Sequence, residues 1–259
     1  MYSRDVSLEQ QPDDLDFYLD VPFVPSDRRV VNAMFKLGAV DADDVVYDLG
    51  SGDGRIVVAA ARDRGARAVG VEIDHQRVAH AESYAAQVGV DHMVSFVEYD
   101  LLHADLSPAT VVTLYLLHCV NMELRPRLLE ELRPGTRVVS HAFDMGDWKP
   151  DRKISAGGVG IFLWVVPARV AGTWDWISAQ GRSFRVRLTQ TFQQVTGEAW
   201  VDGRPARLKD AVLWGDWLEL VLRPAGAAAP KSIFMRCGHD RWIGFSGHHK
   251  GVVARRLEA

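Results

Sequence analysis

Three carboxylates and a glycine-rich turn carry the chemistry that can be read from this chain. Asp48-Leu49-Gly50-Ser51-Gly52-Asp53-Gly54 closes an apolar run that begins at Val45 and leads into a helical stretch. Glycines at alternate positions let backbone approach a ligand closely, and a helix start offers unpaired N–H groups to a negative group. Glu72 ends a second apolar run, in Gly-Val-Glu-Ile-Asp, where a carboxylate can accept from both hydroxyls of a ribose. Asp100 ends a third, in Val-Glu-Tyr-Asp, beside the place where an adenine ring would lie. One nucleoside ligand accounts for all three positions. The turn does not read G-x-G-x-x-G, and Asp48 and Asp53 would repel a pyrophosphate, which argues against a dinucleotide. A carboxylate suits a cationic ligand, one with an ammonium or sulfonium group.

Alternating strands and helices must hold these residues in place. Val45–Leu49, Ala68–Ile73, Met93–Val97, Thr110–Leu117 and Arg137–Ser140 read as buried strands. Residues 26–37, 54–63, 75–88 and 121–132 read as helices, with Ser26 able to cap the first and Pro126 in the first turn of the last or kinking it. The pattern predicts a Rossmann-like, doubly wound α/β sheet, parallel, with helices on both faces and its ligand at the carboxyl ends of the strands.

The style changes near Pro167. Residues 166–259 hold 14 Lys and Arg against 8 Asp and Glu, whereas 1–165 hold 16 against 26, within a total charge of −4. From 168 onward eight short β-rich runs alternate with turn residues, at 171–177, 184–192, 195–201, 206–214, 216–222, 231–237, 241–246 and 251–255. They predict a small antiparallel barrel or sandwich. Six of the eight tryptophans fall there, so the interior is expected to be filled by side chains. The expected organisation is an arm over 1–20, an α/β domain over 21–166 and a barrel-like domain over 167–259. Cys237, His239, His248 and His249 lack paired metal-ligand spacing, so no metal is expected.

Residues 46–55, VYDLGSGDGR, together with Glu72 and Asp100, resemble the motifs of class I S-adenosylmethionine-dependent methyltransferases. With Pro22-Phe23-Val24-Pro25, His141-Ala142-Phe143 and Trp148-Lys149-Pro150, the set resembles the lysine methyltransferases of ATP synthase subunit c and the adenine nucleotide translocase, with their bacterial relatives. The resemblance covers roughly residues 20–155, a typical domain length. It implies S-adenosyl-L-methionine as cofactor. Asp48, Gly50, Ser51 and Gly52 would lie by the methionine part, Glu72 and Ile73 by the ribose, Asp100 and Leu101 by the adenine, and Phe23 and Pro25 in a segment folded over it. A lysine in a protein is the acceptor that it implies.

The acceptor side is less determined. Tyr115 ends the fourth strand and either contacts an amine or packs as a core aromatic. His118 and Asn121 line an acceptor pocket or cap the next helix. His141 is the best histidine for proton transfer, and Asp144 and Trp148 are expected on the same rim. Cys119 reads as a small buried thiol. Tyr115, His118 and His141 are thus the catalytic candidates. Two other readings stay open. One is a small-molecule methyltransferase whose β-domain shapes the pocket. The other is a non-catalytic S-adenosylmethionine-binding protein whose β-domain binds a partner. Basic residues are scattered, so nucleic acid is not expected as a partner. No run reaches roughly 18 apolar residues, so no membrane span is expected. The acidic start does not read as a secretory signal, and with only two cysteines the expected location is the cytoplasm. Nothing in the sequence speaks to oligomeric state.

Overall fold

The computed structural model describes residues 24–238, 241–246 and 249–257. Five parallel strands form where the apolar runs predicted them: β1 (Val45–Leu49), β2 (Arg67–Glu72), β3 (Val94–Glu98), β4 (Val111–Leu114) and β5 (Arg137–His141). Helices α1 (Arg28–Leu37), α2 (Arg55–Arg64), α3 (His75–Val88) and α4 (His118–Glu131) connect and cover them. The sheet is not wholly parallel. A hairpin, β6 (Arg152–Ala156) and β7 (Val159–Val165), adds two strands, giving the order β3-β2-β1-β4-β5-β7-β6 with β7 antiparallel to β5. Val159–Val165 is an almost unbroken apolar run because both its faces are covered.

Two helix starts differ from expectation. Asp27, not Ser26, caps α1, its carboxylate accepting from the Arg29 N–H at 2.7 Å. The helix expected at 121 begins at His118, which places Pro126 in the interior of α4 rather than in its first turn.

Gly54 opens α2 in the left-handed region, at φ 77°. A methyl group there would meet Ala81 Cβ and Phe96 Cζ at 2.8 Å. Backbone strain and overpacking add. Gly54→Ala should therefore destabilise the protein by about 2–4 kcal/mol, read as a lower urea midpoint with an unchanged slope.

All eight predicted β runs form strands: β8 (Gly172–Ile177), β9 (Ser183–Thr191), β10 (Gln194–Val201), β11 (Arg204–Trp214), β12 (Trp217–Pro224), β13 (Lys231–Cys237), β14 (Arg241–Ser246) and β15 (His249–Leu257). They close as a barrel, β15 pairing with β8, so the sandwich alternative falls. Alternation along β9 sends Phe184, Val186 and Leu188 inward. The lumen is filled by side chains. Trp174 and Trp242 are fully buried, with ring centroids 3.8 Å apart, among Leu218, Leu220, Leu222 and Met235. Closing the ring also requires register shifts, found between β10 and β11, β11 and β12, and β14 and β15.

Two barrel turns hold the barrel to the sheet. Phe192 and Gln193, joining β9 to β10, reach Trp148. The Phe192 and Trp148 rings stack at 6.0 Å, and the Trp148 indole N–H donates to Gln193 Oε1 at 3.1 Å. Trp148 is therefore fully buried at this junction rather than on the rim of the ligand site. Gly215, between β11 and β12, packs against Gly135 and Val165, and its carbonyl accepts from the Ala168 N–H at 2.8 Å. Gly135 and Val165 lie where the parallel strands begin, the end opposite their carboxyl termini. No helix among the described residues is long and apolar enough to cross a membrane.

Candidate active site

A cleft of about 360 Å³ opens at the carboxyl ends of the parallel strands. Its lining runs from Val24 to Glu123 in sequence, so no barrel residue contributes to it. The floor is the turn after β1, in which Gly50 and Gly52 take φ 76° and 55°. These conformations suit glycine. Asp48 lies beneath the turn, buried, and Thr113 Oγ1 donates to its Oδ1 at 2.6 Å. Burial pushes the Asp48 carboxyl up to about 7, the Thr113 hydrogen bond opposes this, and the charges of Glu72 and Asp53 add to it. A buried carboxylate with one hydroxyl donor and two acidic neighbours is matched to a cationic ligand.

Glu72, at the end of β2, organises the turn. Its Oε2 accepts from the Gly52 N–H at 2.8 Å, and its Oε1 accepts from the N–H groups of Ile73 and Asp74, both at 3.1 Å. Only 6% of it is exposed. Asp100 follows β3 and accepts from the Leu102 N–H at 2.8 Å, with His103 Nδ1 at 3.0 Å from its other oxygen. Asp48, Gly50, Ser51, Glu72, Ile73, Asp100, Leu101 and Pro25 all line the cleft. Gly52 is joined to it through Glu72. Ser51 Oγ is buried without a hydrogen-bond partner and faces the Gly70 backbone. Phe23 lies outside the described residues.

Tyr115 and Leu116 close the cleft on the side of β4, and Cys119, Val120 and Glu123 line it from α4. Their spacing of three, four and seven residues from Leu116 is one helical face. That period was available in the sequence, yet only Cys119 was singled out there. Cys119 is exposed into this wall rather than buried. His141, at the end of β5, is 4% exposed and lies against Tyr115, with ring centroids 3.8 Å apart and planes at 27°. Burial lowers its pKa, so the imidazole is neutral near pH 7. His118 is exposed at the start of α4, with Nδ1 3.4 Å from Asp144 Oδ1, and does not line the cleft. Asn121 is fully buried and donates to the Asp144 carbonyl at 3.4 Å. Arg55 lines the cleft and was not anticipated. Its guanidinium forms a bidentate pair with Asp53. Burial alone would raise the Asp53 carboxyl, but Arg55 holds it below the usual range.

The family model of the ANTKMT methyltransferase domain matches residues 48–152, ending before the barrel begins. A protein-lysine N-methyltransferase of Saccharolobus islandicus is 44% identical over 151 residues, which is 56% of this chain and 94% of that protein. The chain belongs to this methyltransferase family. A solved structure of an RNA methyltransferase from Salinibacter ruber, in complex with S-adenosyl-L-homocysteine, is 54% identical. It covers 57% of this chain and 96% of its own, with a TM-score of 0.56. The adenine nucleotide translocase lysine N-methyltransferase of Mus musculus is 34% identical over 54% of this chain. This methyltransferase spans only 60% of that mouse protein. S-adenosylmethionine is its cofactor, and the buried Asp48 in the cleft floor fits that cation.

Proposed function

We propose that the protein transfers the methyl group of S-adenosylmethionine to the ε-amino group of a lysine in a protein. The observation that carries this reading is the wall over Tyr115. Leu116, Val120 and Cys119 form a mainly apolar strip that ends at the Glu123 carboxylate. A lysine has an apolar stem and an amine that must be neutral to attack, and an apolar wall favours the neutral form by desolvation. The cofactor supplies a methyl group on a sulfonium. Asp48 would hold its ammonium group, Glu72 its ribose, and Asp100 with Leu101 its adenine. Tyr115 positions the acceptor amine, whose proton leaves to water before transfer, so alignment rather than a strong base drives the step. His141 stacks on Tyr115 and steadies its ring, whereas His118, outside the cleft lining, takes no part in the step.

The archaeal relative named for lysine methylation is matched over nearly its whole length. The Salinibacter relative is named for RNA. Charge favours the first. The wall on the acceptor side, Tyr115, Leu116, Cys119, Val120 and Glu123, carries one carboxylate and no cation. Phosphate backbones bind through the opposite balance. The barrel, absent from the lining, is not placed to shape a small-molecule pocket. We take residues 24–166 as the catalytic domain, 167–257 as a separate accessory domain and the cytoplasm as the site of action, where the unpaired Cys119 and Cys237 fit a reducing milieu.

The test follows S-adenosylhomocysteine release with a protein extract as acceptor. Tyr115→Ala should lower turnover at least tenfold with cofactor affinity within threefold of the parent. Unchanged turnover would remove Tyr115 from the acceptor site. Turnover sustained by the small-molecule fraction alone would replace the lysine reading.

A further inference from the structure

Val24, Pro25 and Ser26 lie along the cleft as a strap, and two bonds fasten it. The Ser26 carbonyl accepts from Arg55 Nη1 at 3.0 Å. The same guanidinium grips Asp53 in the glycine turn, Nε to Oδ1 at 2.9 Å and Nη2 to Oδ2 at 2.5 Å. On its other side the buried Ser26 hydroxyl and His141 Nδ1 share a hydrogen bond of 3.1 Å, across 115 residues of sequence. His141 in turn stacks on Tyr115.

We propose that Ser26 and Arg55 are positioning residues for methyl transfer. Arg55 ties the strap to the cofactor-binding turn, and Ser26 relays the position of the strap through the His141 ring to Tyr115. The inference rests on the reading of Tyr115 as the acceptor-side ring. Its physical basis is that each bond joins the strap to a different part of the site, the glycine turn on one side and the ring pair on the other. Arg55 starts α2 directly behind the glycine turn, so the strap carbonyl follows that turn. A displaced strap would leave the buried His141 Nδ1 without its partner, and an unpaired buried polar atom is costly. The strap and the ring pair therefore favour one joint arrangement. A ring held by stacking alone can slide, whereas a ring stacked on one face and hydrogen-bonded at its edge has one orientation.

Three readouts on the full chain test this. Hydrogen exchange over residues 26–30 should slow at least tenfold when S-adenosylhomocysteine binds the parent, and Arg55→Gln should abolish most of that slowing. NMR signals of the Tyr115 ring protons should shift in Ser26→Ala and return in Ser26→Thr. In turnover, Ser26→Ala should lower kcat about tenfold with the cofactor KM within threefold, and Ser26→Thr should restore at least half. Ring signals unmoved by Ser26→Ala would overturn the relay, and full protection in Arg55→Gln would overturn the tie. Loss of kcat, affinity and Tm together without rescue by threonine would make Ser26 merely structural. If the parent shows protection and ring coupling but methylates no lysine, the acceptor reading fails while the strap linkage stands.

Discussion

Asparagine at position 48 should make the empty protein more stable and its cofactor binding weaker. Asp48 is buried with one hydroxyl donor and with Glu72 and Asp53 nearby, and its carboxyl is raised from 3.8 to about 7. Because the folded pKa lies above the unfolded one, the folded state binds the extra proton between those values. This contribution is therefore most favourable below about pH 4 and is lost as pH rises through about 7. At pH 8 the empty protein carries the full cost, and Asp48→Asn should recover about 2–4 kcal/mol of it. On the proposed reading the cofactor's ammonium group would supply the missing counter-charge. Removing that pairing should weaken S-adenosylhomocysteine binding about 10- to 100-fold, or 1.4–2.7 kcal/mol. In the parent, affinity should fall as pH drops below about 7, since binding then requires Asp48 to release a proton. Urea unfolding at pH 8 and calorimetry at pH 6 and 8 check both arms. A variant that is less stable and still binds at full affinity would contradict the assignment.

Glu72→Ala should have the larger effect on binding, and for two reasons. The carboxylate is the proposed acceptor for the ribose hydroxyls, and it already accepts from three backbone N–H groups, those of Gly52, Ile73 and Asp74. Alanine would orphan these donors, each at about 1–3 kcal/mol where water cannot reach. The glycine turn would then lose its shape as well as its ribose partner. S-adenosylhomocysteine affinity should drop at least 100-fold, with a lower melting temperature in the empty protein. Glu72→Gln should recover little, because its amide nitrogen would donate towards an N–H group. Calorimetric titration beside thermal melts separates the effects. Intact affinity in either variant would show that Glu72 is not the ribose residue.

The parts of this fold that were legible in the sequence are those with a local signature. β1 carries Asp48 next to its end and leads into the glycine turn, β2 ends in Glu72, and the barrel strands alternate between turn pairs such as Asp202-Gly203. The hairpin of β6 and β7 was missed although Val159–Val165 is a bounded apolar run. Arg152–Ala156 is mostly exposed and has no apolar period, so the run lacked a visible partner. The start of α4 was misplaced because Leu117, which precedes it, has no side chain able to cap it. Within the site, the acids and glycines were readable because a nucleoside needs them at strand ends. Arg55 and the α4 wall required the helical face to be set against the strand ends. The pairing of Ser26 with His141 spans 115 residues, and nothing local encodes it. Trp148 was placed on the rim by its nearness in sequence to His141. In the fold, the loop after β5 turns back along α4 and buries it beneath Phe192.

On the proposed reading this cleft delivers a methyl group to a lysine amine. The most direct measurement incubates the protein with S-adenosylmethionine labelled in its methyl group and an extract of host protein and RNA, then hydrolyses the products and separates amino acids from nucleosides. Label is expected in ε-N-methylated lysine, abolished by saturating S-adenosylhomocysteine and strongly reduced in Asp48→Asn. Label confined to methylated nucleosides would contradict it, as would saturable cofactor binding with no label in lysine.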